Sequence, residues 1–345
     1  MAPARLDLIG LGLLGILAAW VLLSAELEGG DPRDYLGMLG LLACGYLAGR
    51  LSARWAWIVA TVVAVGFGTL ILATPDALAG GPLAGPLGYA NANGALAVQV
   101  AAILLVAATR TKPTVGRVLL MAAAVPTFSL AWFNKSSAAM LGGGALLLVG
   151  LVAVTARPRR SLLAISGCGL IVAVAVIGQM LVATGTGDSR VASLVTERRV
   201  ELWTDAIHLA WSAPLTGYGP HSFSTKSPTA ASDPDTRAAH SAVLQVAAET
   251  GLVGASLVLL LVAWAFVALG WTSAQPGLVG AVAWTAFCLQ ALVDYVANFP
   301  LVVATASLAL GLAVGPYWRD QAKGSHRRHN NLMSPAVSDQ AANPG

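Results

Sequence analysis

Ten apolar segments, most of them close to the length of a membrane-spanning helix, dominate this chain of 345 residues. A helix needs about 20 apolar residues to cross the hydrocarbon core of a bilayer. The chain is only 10% charged, whereas soluble domains carry roughly 25% charged residues. The pattern predicts an all-α polytopic membrane protein. We place about ten spans at residues 6–23, 36–49, 55–73, 91–108, 117–133, 137–155, 161–183, 241–269, 277–293 and 299–317.

The distribution of basic residues predicts the orientation of these spans. Thirteen of the twenty Lys and Arg residues lie in alternate loops and at the two ends of the chain, whereas the opposite short loops hold only Arg33 and Lys135. By the positive-inside rule, both termini of the predicted membrane domain, residues 1–320, are cytoplasmic. The segment 184–240 then faces outward from the cytoplasmic membrane. The polar tail 321–345 is predicted to be disordered and cytoplasmic, and the short basic loops indicate orientation rather than nucleic-acid binding.

The outward segment contains one apolar helical face between a capping residue, Thr196, and a stop at Pro214. The face consists of Val200, Trp203, Ile207, Ala210 and Trp211, which recur at spacings of three and four. This pattern predicts an amphipathic helix that lies on the bilayer surface. The tight turn Gly217-Tyr218-Gly219-Pro220 and a mobile stretch, 222–237, follow it and lead to His240.

Three motifs carry a family resemblance. Arg199-Val-Glu-Leu-Trp203, followed by Pro214-Leu-Thr-Gly217-Tyr-Gly219 and Phe223, is similar to a pattern R-x-x-x-W…PL-x-G-x-G…F. His240-Ser241-x9-Gly251-x-x-Gly254 is similar to a ligase motif, and Gly88-Tyr-Ala-Asn91-Ala-Asn93 resembles an N-x-N element. In this order, the motifs resemble the O-antigen ligase and polymerase superfamily of bacterial membrane glycosyltransferases. The resemblance implies a fold of the GT-C class.

The resemblance also implies a reaction and its partners. A glycan would pass from a polyprenyl-diphosphate carrier to an acceptor hydroxyl on the outer face of the membrane. The reaction would use neither a metal nor another cofactor. The expected partners are the lipid-linked donor, a glycan or lipid acceptor and membrane lipid, with no nucleic acid. Both a ligase and a polysaccharide polymerase fit this pattern.

Two residues are candidates for the chemical step. Arg199 would stabilise the leaving diphosphate, because its rigid fork of donors suits phosphate oxygens. The alternative is a salt-bridged or snorkelling Arg beside Glu201 or Asp205. His240 would take the acceptor proton, because imidazole changes its charge near neutral pH. The alternative is a His that caps a helix or lies at an interface.

Other polar residues are candidates for binding substrate. They are Lys135, Arg198, Tyr218, His221, Ser241, Gln245, Glu249 and Asn93. Ser241, Gln245 and Glu249 repeat every four residues and form a stripe that lines an acceptor pocket or bonds neighbouring helices. Each of the others has a structural alternative as a helix cap, a snorkelling cation or a solvated loop residue. Asp294 and Asn298, near the outer end of the last hairpin, could pair with the outer loop.

Two rival functions belong to other classes. A transporter or flippase of a lipid-linked or anionic solute predicts polar groups near the middle of several spans. Here, the spans within 91–155 and 161–183 are nearly free of them. A non-catalytic scaffold for envelope assembly is the second rival. It stays open because Ser136-Ser137 stands where the family often has Ser-Arg.

Overall fold

The computed structural model describes residues 3–79, 81, 83–112, 114–155, 161–187, 196–233 and 236–316. The regular elements in these ranges are all helices, which confirms the predicted fold class. The predicted cytoplasmic tail, 321–345, lies outside the described residues, as do residues 188–195, 234 and 235 of the outward segment.

Long apolar helices occupy all ten predicted segments. They are α1 (Pro3–Glu28), α2 (Arg33–Ser52), α3 (Ala56–Ala73), α4 (Ala90–Arg110), α5 (Thr114–Phe133), α6 (Ser137–Thr155), α7 (Ser161–Ala183), α11 (Ala242–Gly270), α12 (Ala274–Val293) and α13 (Pro300–Val314). Between α7 and α11 lie α8 (Glu197–Ser212) and two single turns, α9 (Phe223–Lys226) and α10 (Pro228–Ala231). Two 3-10 turns, Ala53–Trp55 and Val296–Asn298, precede α3 and α13.

Length and composition give fewer spans than the ten predicted. Within the described ranges, eight helical segments are long and apolar enough to cross a membrane. One of them, Arg33–Ala73, has 41 residues and contains both α2 and α3. A straight helix of that length would rise about 60 Å, twice the thickness of the hydrocarbon core. The 3-10 turn at Ala53–Trp55 divides the segment into two pieces, each about as long as one span. The 15 residues of α13 fall short of the usual span length. The count of ten stays a prediction.

The centre of the molecule is α4. Its residues from Ala92 to Thr109 are all buried, and α3, α5, α6, α12 and α13 pack around it. The many alanines of α4 let the neighbouring helices approach it closely. The outer helices instead expose large apolar side chains such as Leu8, Leu72 and Leu141. An apolar exterior of this extent suits a lipid environment.

The eighth predicted segment is a helix with a break. Gly251, inside α11, has φ of 74° and ψ of −179°, a combination that essentially only glycine adopts. The turn after α8 fits into this break, where the backbone N–H of Leu252 donates to the carbonyl of Pro214 at 2.8 Å. A Cβ on Gly251 would collide with the carbonyl of Leu215. The backbone break at Gly251 is therefore the place where the 214–219 turn packs against α11.

The break leaves backbone carbonyls of α11 without their helical partners, and other elements supply donors. The indole Nε1 of Trp20 in α1 donates to the carbonyl of Thr250 at 2.8 Å. The backbone N–H of Tyr218 donates to the carbonyl of Ala248 at 3.1 Å. Unsatisfied backbone groups cost several kcal/mol each in lipid, so these bonds make the break tolerable.

The amphipathic helix forms where it was predicted, but its apolar face is not turned to the bilayer. Leu202, Trp203 and Ile207 are buried, and they cluster with Phe223 of the outer segment and with residues of α7 and α11. For Trp203, Ile207 and Ala210, three residues of the predicted face, the prediction of a surface-lying position was wrong, because α7, α11 and the outer segment cover them. Trp211, at the end of the helix, is 66% exposed.

Candidate active site

A buried carboxylate organises the end of the helix bundle that adjoins α8. Asp294 follows the last residue of α12, and its side chain is only 4% exposed. Five donors surround its two oxygens: the backbone N–H of Tyr295 (2.8 Å), the hydroxyl of Tyr89 (2.7 Å), Nη2 of Arg199 (3.0 Å), Nδ1 of His240 (3.0 Å) and Nδ2 of Asn91. These groups come from four separate parts of the chain. Asp294 therefore joins the start of α4, the start of α8 and the start of α11.

The charge state of Asp294 follows from these contacts. Burial by itself raises the pKa of a carboxyl group. The hydrogen bond from His240 and the positive charge of Arg199 outweigh burial and hold the pKa of Asp294 below its ordinary value. The group is thus a carboxylate at neutral pH, and a carboxylate only accepts hydrogen bonds.

His240 lies directly before α11, with φ of 49°. Such a conformation is uncommon outside glycine and costs of order 1–3 kcal/mol. The surroundings hold it there, since the indole of Trp203 donates to the His240 carbonyl at 3.3 Å and the imidazole and the Tyr295 ring form a T-shaped pair with centroids 4.8 Å apart. Because Asp294 only accepts, Nδ1 of His240 carries the proton between them. That tautomer makes Nε2 the basic nitrogen of the ring.

Arg199 lies in the first turn of α8 and reaches Asp294 across the site. One nitrogen of its guanidinium bonds the carboxylate at 3.0 Å, and its side chain is 24% exposed. A guanidinium carries five N–H donors, so this pairing leaves donors for another anion. The salt-bridge alternative is correct in kind but not in partner, because Arg199 pairs with Asp294 rather than with Glu201 or Asp205.

A small polar cavity adjoins this cluster, with a volume of about 160 Å³. Asn91, Lys135, Arg199 and Asp294 line it, together with residues at the start of α6 and the end of α12. Lys135 has φ of 53°, in the tight connection between α5 and α6. The structure therefore brings Lys135 and Arg199, two of the predicted site residues, to the wall of one cavity. Two cations at one polar cavity favour an anionic ligand.

Three aromatic rings form one wall beside Asp294. Tyr89 stacks on Tyr295, with ring centroids 4.6 Å apart, and on Phe299 at 5.8 Å. Burial and the charge of Asp294 raise the pKa of both tyrosines. Their hydroxyls consequently stay protonated at neutral pH, and that of Tyr89 acts as a donor to the carboxylate.

Asn93 has a different position from that expected of a substrate ligand. Its Nδ2 donates to the carbonyls of Ala84 and Gly85 at 2.7 and 2.8 Å, and its Oδ1 accepts from the backbone N–H of Leu87 at 2.9 Å. Asn93 thus fixes the loop that precedes α4. Of the two asparagines in the motif, Asn91 is the one that lines the polar cavity.

Arg198 braces the outer segment. It pairs with Glu201 at 3.1 Å and with Asp233 at 3.4 Å, and it donates to the carbonyl of Thr229 at 2.9 Å. These contacts tie α8 to the single turns that follow it. Arg198 and its neighbour Arg199 therefore bond to different partners. Arg198 is not among the residues that line the polar cavity.

The polar stripe of α11 mainly bonds neighbouring elements. Glu249 is 1% exposed and accepts from the hydroxyl of Tyr35 at 2.7 Å and from the backbone N–H groups of His221 and Phe223 at 3.0 and 3.2 Å. Gln245 donates to the same carboxylate at 3.3 Å. Glu249 consequently fixes residues 221–223 of the outer segment against α2 and α11.

The first residue of the stripe has a capping role. Ser241 is the N-cap of α11, where its hydroxyl accepts from the backbone N–H of Leu244 at 3.3 Å. The same hydroxyl donates to Oε1 of Gln179 in α7 at 3.0 Å. Ser241 therefore fixes the start of α11, directly after His240.

Tyr218 lies in the turn at the α11 break, and His221 follows that turn. The ring of Tyr218 faces Nζ of Lys226 at 5.4 Å. His221 has φ of 70°, and its Nε2 lies 3.4 Å from Oδ2 of Asp34. His221 lines a second, larger cavity that is mainly apolar, and not the polar one beside Arg199. The predicted site residues thus fall into three groups. Some line the polar cavity, some line the larger apolar cavity, and the others bond neighbouring parts of the chain.

The structure adds residues that the motifs do not identify as a site. From the sequence, Asp294 is expected only to pair with the outer loop, and Asn91 and Tyr89 occur only within the Gly88–Asn93 motif. A single acidic residue at the outer end of a predicted hairpin was the one signal available. In the described residues, no group of three or more His, Cys, Asp or Glu could hold a metal ion.

A comparison with protein families bears on the classification. Residues 122–259 match the family described as O-antigen ligase. This match supports the O-antigen ligase and polymerase superfamily that the motifs indicated. Together with the membrane helices, it suggests a membrane glycosyltransferase of the O-antigen ligase or polymerase type. A comparison with curated proteins finds no match.

The region that matches the O-antigen ligase family, 122–259, and the carboxylate cluster overlap only in part. Arg199, His240 and Lys135 lie inside the matched residues, whereas Asp294 and Asn91 lie outside them. The site that surrounds Asp294 is therefore assembled from the matched region and from helices on both sides of it in the sequence.

Proposed function

We propose that this protein transfers a glycan from a polyprenyl-diphosphate carrier to an acceptor hydroxyl on the outer face of the cytoplasmic membrane. The membrane helices and the match to the O-antigen ligase family support the reaction class. The observation that carries the proposal is the convergence of His240 and Arg199 on Asp294, beside a polar cavity that Lys135 also lines. In this proposal, a base and two cations act together at one site.

The acceptor side of the reaction belongs to His240. Nε2 takes the proton of the acceptor hydroxyl while the oxygen attacks the anomeric carbon of the donor glycan. Asp294 holds the opposite nitrogen through a 3.0 Å hydrogen bond. The carboxylate stabilises the imidazolium that forms and keeps the ring in the tautomer that can accept a proton. General-base catalysis of this type contributes about 10²–10⁴-fold in rate.

The leaving-group side belongs to Arg199 and Lys135. As the new glycosidic bond forms, the bond between the anomeric carbon and the diphosphate oxygen breaks, and its electron pair goes to the diphosphate. Fixed cations stabilise that charge in the transition state more strongly than water does. Arg199 can offer two parallel donors to phosphate oxygens, whereas Lys135 acts as a point charge.

The proposal is tested with purified protein in lipid vesicles and a lipid-diphosphate-linked glycan donor. Transfer to an acceptor is followed by mass analysis of the products, with a metal chelator present throughout. We expect His240→Ala and Arg199→Ala to abolish product while the protein still inserts into the membrane.

Two control substitutions match the test variants in residue type. His208→Ala changes an exposed His on α8, and Arg33→Ala changes an Arg whose side chain is 87% exposed. Both should leave transfer unchanged. Near-normal product from His240→Ala or Arg199→Ala would remove that residue from the mechanism. Donor turnover also separates the enzyme from a transporter, whose solute flux does not need it.

A further inference from the structure

One buried side chain on α7 connects the segment that carries His240 with the segment that carries Asp294. This side chain is Gln179, which is only 7% exposed. It continues the buried face of α7 that includes Val172 and Val176, and α7 packs against both α11 and α12. An amide among apolar side chains in a membrane helix is costly unless its donor and its acceptor are both bonded. That cost points to a role that an apolar residue could not fill.

Both ends of the Gln179 amide are bonded. Its Oε1 accepts from the hydroxyl of Ser241 at 3.0 Å, and its Nε2 donates to the backbone carbonyl of Leu292. A backbone carbonyl only accepts, so the amide nitrogen must face Leu292. The Ser241 hydroxyl accepts from the backbone N–H of Leu244 and gives its single proton to the amide oxygen. The two partners thereby fix the orientation of the amide.

The amide joins two helix ends. Ser241 is the N-cap of α11, and Leu292 is the last residue but one of α12. The last carbonyls of a helix have no partner within that helix, so Gln179 supplies a donor that α12 itself lacks. His240 directly precedes Ser241, and Asp294 is two residues after Leu292. Gln179 therefore holds together the two backbone segments from which the imidazole and the carboxylate extend.

The His240–Asp294 pair needs such support because the backbone of His240 is strained. Its φ is 49°, and a residue other than glycine stays in this region only where its surroundings impose it. Trp203 bonds the His240 carbonyl, and the bonds of Ser241 hold the next residue along the chain. A displacement of either helix end would lengthen the 3.0 Å contact between His240 and Asp294. A misplacement of about 1 Å at an active site can cost about a hundredfold in rate.

We infer that Gln179 is a positioning residue for glycan transfer. Its amide holds the start of α11 and the end of α12 at the spacing that lets Asp294 impose the Nδ1–H tautomer on His240. As a role in catalysis, this inference rests on the proposed function. Gln179 is not among the described residues that line the polar cavity. It therefore acts on the chemical step through His240 and Asp294, and not on binding of the donor.

Gln179→Met tests this role in the vesicle assay with the lipid-diphosphate donor. Methionine is unbranched and suits an apolar helix, but it lacks the amide. We expect kcat to fall about ten- to a hundredfold, whereas the KM for the donor stays unchanged. Gln99→Met is the matched control, because Gln99 in α4 is 1% exposed and its amide has no hydrogen-bond partner among the described residues. It should change neither constant. A normal kcat in folded Gln179→Met would overturn the inference.

A second substitution shows whether Gln179 acts through the pair. In an Asp294→Asn background the pair is already disrupted, so adding Gln179→Met should lower kcat by less than about a further twofold. A further loss of about tenfold, which two independent contributions predict, contradicts the inference.

The partner of Gln179 provides another pair of variants if Gln179→Met does not fold. Ser241→Ala breaks the same connection from the other side and should lower kcat without changing the KM for the donor. Ser241→Thr keeps the hydroxyl and should retain most of kcat. Equal kcat in these two variants contradicts the inference.

Nitrogen NMR of the His240 ring tests the inference without turnover. The full chain, with isotope-labelled histidine, is placed in lipid nanodiscs at about pH 9, where an ordinary imidazole is neutral, and His240→Ala identifies the signals of that ring. We expect the Nδ1–H tautomer in wild type and in Gln99→Met, and a mixture with the Nε2–H tautomer in Gln179→Met. Unchanged signals in Gln179→Met contradict the positioning role.

The two measurements separate the two claims. If the wild-type protein transfers no glycan but Gln179→Met changes the tautomer of His240, the proposed function fails while the positioning of the pair stands. If the wild-type protein transfers glycan but neither kcat nor the tautomer depends on Gln179, the positioning role alone is wrong.

Discussion

Nδ1 of His240 lies 3.0 Å from Oδ1 of Asp294, although 54 residues separate the two in the chain. The same carboxylate binds Arg199 through its other oxygen at 3.0 Å. One buried acid thereby sets the position of both residues that the motifs identified for the chemical step. It also explains why a strained His at the start of α11 keeps its orientation.

Substitution of the central acid should be nearly as damaging as loss of the base. Asp294→Asn keeps the size of the side chain but removes its charge, so the imidazole loses its stabilising partner and its tautomer is no longer imposed. We expect kcat for glycan transfer to fall about a hundredfold or more, with a smaller change in donor KM. Asp294→Glu should recover part of the activity. Full activity of Asp294→Asn in the vesicle assay would exclude a positioning role.

The lowered pKa of Asp294 also predicts how stability depends on pH. A carboxyl whose folded-state pKa is depressed adds stability above its unfolded pKa of about 3.9, and that stability disappears as pH falls through the folded-state value. Wild type should therefore exceed Asp294→Asn in thermal stability at pH 7, and the difference should shrink as the pH approaches about 3. A constant difference across this range would mean that Asp294 contributes through packing alone.

Lys135 should affect donor binding more than turnover. Lys135→Ala removes one of the two cations at the polar cavity and should raise donor KM about tenfold, which corresponds to roughly 1.4 kcal/mol. Lys226→Ala is the matched control, because Lys226 faces Tyr218 and does not line that cavity. Steady-state kinetics with a lipid-diphosphate donor measure both. If KM is unchanged in Lys135→Ala, Arg199 is the one remaining candidate cation for binding the diphosphate of the glycan donor.

The break in α11 should tolerate no side chain. Gly251→Ala puts a Cβ on a residue with φ of 74°, at a cost of about 1–3 kcal/mol from the backbone alone, and the Cβ also meets the Leu215 carbonyl. Thermal unfolding in detergent should show clear destabilisation. Gly144→Ala, in α6, has open space around its new Cβ and should be neutral or slightly stabilising. Equal stability of the two variants would show that the break is flexible.

The proposed side of the membrane is tested by cysteine labelling in intact cells. Thr225→Cys places a thiol at an exposed position of the outer segment, and Lys112→Cys places one in the basic connection between α4 and α5. A membrane-impermeant maleimide should label the first in intact cells and the second only after lysis. The reverse pattern would invert the orientation and would place the proposed reaction on the cytoplasmic face.

The sequence alone determined the helical elements, because helix formation in lipid depends on local composition. Every predicted apolar segment contains a helix, and α8 lies between the predicted cap at Thr196 and the stop at Pro214. The motifs likewise indicated the O-antigen ligase and polymerase superfamily, because the residues of each motif are close together in the chain. The short 3-10 turn between α2 and α3 shows the limit of local rules, since length alone does not say how many times Arg33–Ala73 crosses a membrane.

Only the tertiary structure decided which polar residues meet. Arg198 and Arg199 are neighbours with the same chemistry, yet one braces the outer segment and the other reaches Asp294, because successive positions on a helix point about 100° apart. Asp294 has no motif around it, and its role appears only when α4, α8 and α11 converge on the end of α12. The apolar face of α8 could pack against lipid or against protein. In the folded chain, most of this face packs against α7, α11 and the outer segment. Local sequence thus sets which surfaces are apolar, whereas long-range packing sets what covers them.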